Sequence, residues 1–237
     1  MRAGDLVKKL KLDSEFVWKS KVIQIEGEEA FRRIEKKADD LFLMFKELLT
    51  GSKIPTCKQI KRMIPDGFEG HFVREDYIHR YGFAIPCREA IEAIRKYSPI
   101  LEVGAGTGYW AALLDCDIIA TDIGRASPEL IKQKKWFKPG SHFPVKKMSA
   151  EKAMKKWPDR NLFFCWPSYD EPWPTEALKN LKFGKYVIYI GESEGGCTAD
   201  DAFHQELRDK FEEVEDIPIP QWRGMHDNLW VYKKVKR

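Results

Sequence analysis

Seven consecutive residues have the types and spacing of a ligand-binding turn: Glu102-Val103-Gly104-Ala105-Gly106-Thr107-Gly108. Alternating glycines let the backbone reach conformations closed to other residues and let a ligand touch the main chain. An acid stands two residues before the first glycine, and a second, Asp122, closes the next apolar run over 117–122. A dinucleotide fingerprint would need G-x-G-x-x-G, with a third glycine where Tyr109 stands. That spacing ranks a nicotinamide-dependent oxidoreductase last among the readings of this turn. A second group with chemical potential is His226-Asp227, the only adjacent His–Asp pair in the chain. Histidine is the side chain most easily poised as a base near neutral pH.

The elements needed to position these groups are legible around them. Residues 99–103 read as a short buried strand and Tyr109–Leu114 as the start of an apolar helix, so the glycines sit on a strand-to-helix turn. The helix N-terminus presents free N–H groups and a positive dipole end. From about residue 82 strands and helices alternate: helices over 87–97, 149–154, 175–181 and 200–211, and strands over 143–148, 161–166, 185–190, 213–217 and 229–235. A further short helix is expected from Pro128, capped by Ser127. Such alternation predicts an α/β fold with a mostly parallel sheet and helices on both faces. Only a loop separates the last two strands, so they should pair antiparallel. Ligands bind outside the carboxyl ends of the strands in sheets of this kind, which selects the residues just past each strand.

The glycine turn with its two acids resembles the E-x-G-x-G-x-G motif of class I S-adenosylmethionine-dependent methyltransferases. That resemblance implies a Rossmann-like sheet whose last strand inserts antiparallel, and S-adenosyl-L-methionine as cofactor. It also implies that Glu102 orients the methionyl end, with Gly104, Ala105, Gly106 and Gly108 passing beside it. Asp122, with Ile123 next to it, would take the ribose hydroxyls, and Ser149 and Ala150 would lie beside the adenine; Ser149 reads equally well as a helix cap. The cofactor carries an ammonium and a sulfonium but no pyrophosphate, so acids beside the turn are favourable. Past the fourth strand, Trp166-Pro167-Ser168-Tyr169-Asp170 resembles the D/N/S-P-P-Y signature of enzymes that methylate exocyclic or amide nitrogens. Trp166 departs from it, because an indole offers only an N–H donor where the signature has a group that polarises the amine. Trp166 reads as a pocket wall or a stacking platform, and Tyr169 and Asp170 as pocket residues. The stretch 191–201 is polar and glycine-rich, with Glu192 directly after a buried strand. The segment 81–86 resembles the lead-in that folds over the cofactor in this class. Taken together, these motifs resemble a group of bacterial and viral methyltransferase-like proteins over roughly residues 80–237.

The expected function is therefore methyl transfer to an acceptor that the sequence does not name: nucleic acid, protein or a small molecule. His226, Asp227, Tyr169 and Asp170 are the candidate catalytic residues. The competing reading is a non-catalytic partner or regulatory subunit that binds the cofactor on the same fold. The chain divides into a mainly helical extension, 1–80, and the methyltransferase domain, 81–237. Within the extension, 28–49 carries Phe31, Ile34, Ala38, Leu41, Phe42, Phe45 and Leu48 as one apolar stripe, with Gly51 as its stop. Val22–Ile25 reads as a short strand, and residues 51–80, broken by Pro55, Pro65 and Gly70, leave no room for a long element.

At 237 residues, with 33% charged and 43% hydrophobic, the composition is that of an ordinary soluble protein with one substantial core. The opening residues lack the apolar core of a signal peptide, and no apolar run approaches the ~18 residues of a membrane span. Five scattered cysteines without a C-x-x-C pair fit reduced thiols in the cytoplasm and no structural metal. The net charge of +4 is small, but nine lysines and one acid, Glu151, fall between Lys132 and Lys156. That stretch reads as a solvated face or as a patch for nucleic acid. Nothing in the sequence sets the oligomeric state.

Overall fold

The computed structural model describes residues 27–65, 69–124 and 140–236. The expected strand at Val22–Ile25, the helix from Pro128 and the lysines at 132, 134, 135 and 138 lie outside them. Helix α1 (Gly27–Leu48) comes first, followed by α2 (Cys57–Lys61), α3 (Glu69–Arg80) and α4 (Arg88–Arg95). Then β1 (Ile100–Val103), α5 (Tyr109–Leu114), β2 (Ile118–Asp122), β3 (Val145–Lys147), α6 (Ala150–Lys156) and β4 (Asn161–Cys165) alternate. The chain ends through α7 (Trp173–Asn180), β5 (Tyr186–Gly191), α8 (Asp201–Lys210), β6 (Phe211–Ile217) and β7 (Asn228–Lys234).

The seven strands form one sheet in the order β3-β2-β1-β4-β5-β7-β6. Strands β1 to β5 pair in parallel, and β7 lies antiparallel between β5 and β6. This is the doubly wound sheet with an inserted antiparallel last strand that the sequence led us to expect. Its order reverses between β1 and β4, so the crevice for a ligand opens above the ends of those two strands.

Period-two alternation along the strands divides the core between the two faces. Ile100, Phe163, Ile188, Ile190, Leu229 and Val231 point to one side, where Tyr109, Trp110 and the apolar faces of α1, α3 and α4 cover them. Leu101, Val103, Leu162, Phe164, Val187 and Tyr189 point to the other, beneath α6, α7 and α8. Residues 36–80 share the first of these cores. Ala38, Leu41 and Phe45 are completely buried, and the Tyr109 hydroxyl donates to the Phe45 carbonyl at 3.1 Å. Phe45, Tyr77 and Tyr81 pack ring to ring, with centroids 4.6 to 5.5 Å apart. Burying a side chain of that size stabilises the fold by roughly 1.5–3 kcal/mol.

Two expectations need correcting. Residues 51–80 carry two helices where no long element was expected. Thr56 and Gln59 form a capping box that starts α2. The twelve residues of α3 hold a buried row, Val73 and Tyr77, that continues into Tyr81 just past its end. The third strand is three residues long rather than six, because Phe143 and Pro144 run up to it as irregular chain. The described residues contain no helix long and apolar enough to cross a membrane, and the five cysteines are free.

Candidate cofactor and acceptor site

A cavity of about 250 Å³ opens above the ends of β1, β2 and β4. The glycine turn makes its floor, the 81–83 lead-in one wall and Trp166 another. Of the residues expected to hold the cofactor, Glu102, Gly104, Ala105, Gly106, Asp122, Ile123, Ser149, Ala150 and Trp166 all line it; Gly108 does not.

The turn is satisfied from within the protein. The Gly104 and Ala105 N–H groups both donate to the Thr121 carbonyl, at 2.9 and 3.0 Å. The Gly106 N–H donates to Asp122 Oδ2 at 3.0 Å, and the Gly108 N–H to the Ala105 carbonyl at 2.8 Å. Those four donors are therefore not free to cradle a phosphate, which is an independent reason against a dinucleotide. Gly104 is required by close approach, since a Cβ there would stand 3.2 Å from the Trp173 ring. Gly108 serves packing, since a Cβ would meet the Phe143 Cβ at 2.9 Å, and its φ of +76° disfavours any side chain.

Glu102 is the main electrostatic feature of the floor. It is 2% exposed on an otherwise apolar strand, and its Oε2 has no hydrogen-bond partner among the described residues. Burial, with a smaller contribution from the nearby Asp122 charge, pushes its carboxyl up to about 8. An unpaired buried carboxylate is costly, and a cationic ligand group in the cavity would remove that cost. Asp122 differs: its Oδ1 and Oδ2 accept the Gly124 and Gly106 N–H groups at 2.6 and 3.0 Å, and each oxygen keeps further acceptor capacity. Ser149 lines the cavity and also caps α6, its Oγ accepting from the Lys152 N–H at 3.4 Å. The cap therefore leaves Ser149 within the cavity lining.

Trp166 occupies a left-handed backbone conformation at φ +54°, rare and strained for a residue of this size. Its N–H donates to the Ile190 carbonyl at 2.7 Å, and its Nε1 donates to Asp227 Oδ2 at 2.9 Å. The ring stacks on Phe83 at 5.3 Å and 13°. Thus the indole donor, which fits the nitrogen-methylation signature poorly, is used to hold a carboxylate at the rim. Asp227 is 1% exposed, and its buried Oδ1 has no hydrogen-bond partner among the described residues. Burial raises its carboxyl to about 6 against the opposing pull of the Trp166 hydrogen bond.

Three other expected residues stand away from this cavity. The His226 ring is exposed, and the residue is fixed through its backbone N–H, which donates to Glu192 Oε1 at 2.8 Å. Tyr169 is 66% exposed, and with Asp170 it lines a separate depression beside Gly196 and Asp200. Glu192 has a structural explanation: its Oε2 accepts the Cys197 N–H at 2.7 Å, so one buried carboxylate ties the 192–198 turn to the 218–227 loop. Burial opposes its charge, and these backbone donors outweigh that, so its carboxyl sits below the usual range. Sequence reasoning missed Arg74, on α3, whose guanidinium carbon lies 5.5 Å from the Trp166 ring centre. Trp173 and Met148, which also line the cavity, carried no motif.

No protein-family model and no curated protein sequence matches the chain. Among solved structures it is similar to a Burkholderia thailandensis 1,6-didemethyltoxoflavin-N1-methyltransferase with bound 1,6-didemethyltoxoflavin and S-adenosylhomocysteine. That match is 15% identical, covers 63% of this chain and 78% of the other, and has a TM-score of 0.41. An rRNA methylase from Streptococcus thermophilus matches at 17% identity over 65% of this chain and 100% of its own, with a TM-score of 0.37. A tRNA (m1A58) methyltransferase from Aquifex aeolicus matches at 15% identity over 66% and 72%, also with a TM-score of 0.37. The class I methyltransferase fold of this chain rests on its strand order and on the placing of β7, not on these matches.

Proposed function

We propose that this protein is a methyltransferase that uses S-adenosyl-L-methionine. The observation that carries the reading is Glu102, a buried carboxylate with an unpartnered oxygen in the floor of a cavity at the switch point of the sheet. A ligand ammonium would pair with it, and Asp122 has lone pairs for ribose hydroxyls. Ser149 and Ala150 would flank the adenine, and the cofactor, when bound, would supply a sulfonium-activated methyl group.

The protein's own contribution is positioning and a proton acceptor. Holding an acceptor nucleophile in line with the methyl group replaces a bimolecular encounter with an oriented one. Asp227 takes the acceptor's proton: it is buried, is raised to about 6, and keeps one oxygen unpartnered beside the cavity wall. His226, exposed one residue away, is the other proton acceptor on this loop, and Tyr169 with Asp170 forms an outer contact for the acceptor. RNA-modifying enzymes among the similar structures, together with Lys147, Lys152, Lys155 and Lys156 along β3 and α6, support nucleic acid as one acceptor class beside small molecules and protein.

Transfer of labelled methyl from the cofactor to fractionated RNA, protein and small molecules tests the reading. Label recovered in one fraction, and lost with Asp227→Asn, supports it. Cofactor binding without transfer to any fraction would instead support a non-catalytic partner subunit on the same fold.

A further inference from the structure

Arg74 lies over the ring of Trp166, a wall residue of the cavity, and its charge has no evident use among the described residues. It sits on α3, half-buried, and among the described residues it makes no hydrogen bond or ion pair; its Nε is wholly buried and unpartnered. Its guanidinium is held only over the Trp166 ring, at 5.5 Å. Guanidinium groups that are taken partly out of water without hydrogen bonds are costly, and here desolvation outweighs the attraction of nearby acids and holds Arg74 below its usual range. Those acids are otherwise engaged. Glu192 accepts two backbone N–H groups, and Asp227 accepts the Trp166 indole.

We propose that Arg74 is the residue that selects the acceptor, and that the acceptor is a ring-bearing molecule with an oxyanion, carboxylate or phosphate. The guanidinium fork would take the oxyanion through two parallel N–H bonds, as it does wherever planar anions are recognised. The ring would rest against Phe83 and Trp166, the stacked pair that makes that wall of the cavity. An anion there gives the guanidinium the hydrogen-bond partner that it lacks among the described residues. It also turns the α3 helix, part of the N-terminal segment, into a contributor to the site. Trp166 then has a double role, supplying part of the wall against the acceptor ring and fixing Asp227 through its Nε1–H.

This inference rests on the proposed cofactor reading, and its test separates the two. The 237-residue chain is first saturated with S-adenosylhomocysteine, followed by calorimetry. Benzoate, phenyl phosphate and the neutral benzamide are then titrated into it and into Arg74→Met and Arg74→Lys. Binding of benzoate or phenyl phosphate is expected, with benzamide weaker by roughly tenfold or more, the scale of a lost charge-assisted pair. Arg74→Met should abolish the preference for the anion, while Arg74→Lys, which keeps the charge but loses the fork, retains part of it. S-adenosylhomocysteine affinity should be the same in all three proteins, which certifies the fold. Whichever anion binds more tightly names the acceptor's group. Equal binding of benzamide, unchanged anion binding in Arg74→Met, or no binding of either anion to the saturated protein overturns the Arg74 assignment alone. Failure of S-adenosylhomocysteine itself to bind would overturn the cofactor reading beneath it.

Discussion

Glu102→Gln should have opposite effects on the free and the cofactor-bound protein. In the free protein the Glu102 carboxyl is raised from 4.5 to about 8, chiefly by burial and then by the Asp122 charge. The unfolded chain loses this proton near its ordinary value while the folded chain keeps it. Stability is therefore undiminished below about pH 4.5 and falls as pH rises toward about 8. At about 1.4 kcal/mol per unit, the shift sets a ceiling of about 5 kcal/mol on that loss. Glutamine is nearly isosteric and cannot ionise. Glu102→Gln should be close to wild type in melting temperature at pH 5 and clearly more stable at pH 9. With cofactor the sign reverses, because an ammonium needs the carboxylate: the variant should bind S-adenosylhomocysteine roughly 10- to 100-fold more weakly. Wild-type binding near pH 7 should release most of a proton, seen as a dependence of the calorimetric enthalpy on buffer ionisation heat, shrinking toward pH 9. Melting curves of the two proteins that run parallel across pH, or binding without proton release, would mean that Glu102 is already ionised and paired. The argument from its orphaned oxygen would then be wrong.

Other consequences follow from particular contacts. Gly108→Val should lower stability by roughly 2 kcal/mol or more, because its Cβ would meet Phe143 at 2.9 Å in a backbone region unsuited to β-branching; a shift in denaturant midpoint measures it. Glu192→Gln leaves one of the His226 and Cys197 N–H groups facing an amide donor, and should cost roughly 1–3 kcal/mol, with faster amide exchange confined to that rim. Wild-type methyl transfer should rise with pH through about 6, because Asp227 must be ionised to accept a proton. Asp227→Asn should remove that limb with cofactor affinity intact, whereas a similar loss in His226→Ala would move the base to the histidine. If the lysines of β3 and α6 meet a nucleic acid, its affinity should fall steeply with salt, and glutamate at Lys152, Lys155 and Lys156 should flatten that slope.

Much of this architecture was legible because its signals are local and periodic. The Glu102 to Asp122 stretch announces a strand, a turn, a helix and a strand in consecutive residues, and the cavity is built on it. The apolar runs over 161–166 and 185–190 were equally direct signals of strands. What escaped was set by tertiary contact. Helix α3 follows Pro65, carries Gly70 in its first turn and sets its apolar residues Phe72, Val73, Tyr77 and Ile78 among charged ones, so its pattern was too sparse to outweigh the breakers. Arg74 was lost with it. The Thr56–Gln59 capping box, by contrast, is a sequence signature and was available to be read. Neighbours in a loop need not share a direction: Asp227 turns inward onto Trp166 while the His226 ring faces out, and only the fold decides which does so. Glu192 shows the converse, a buried carboxylate whose position suggests chemistry but whose two oxygens serve the backbone.

The cofactor site is the central claim, and titration of S-adenosylhomocysteine into the 237-residue chain by calorimetry tests it most directly. The account predicts saturable binding at one site per chain, displacement by S-adenosyl-L-methionine, and a melting temperature that rises with ligand concentration. Folded protein that shows neither heat nor a melting shift at millimolar ligand would contradict it.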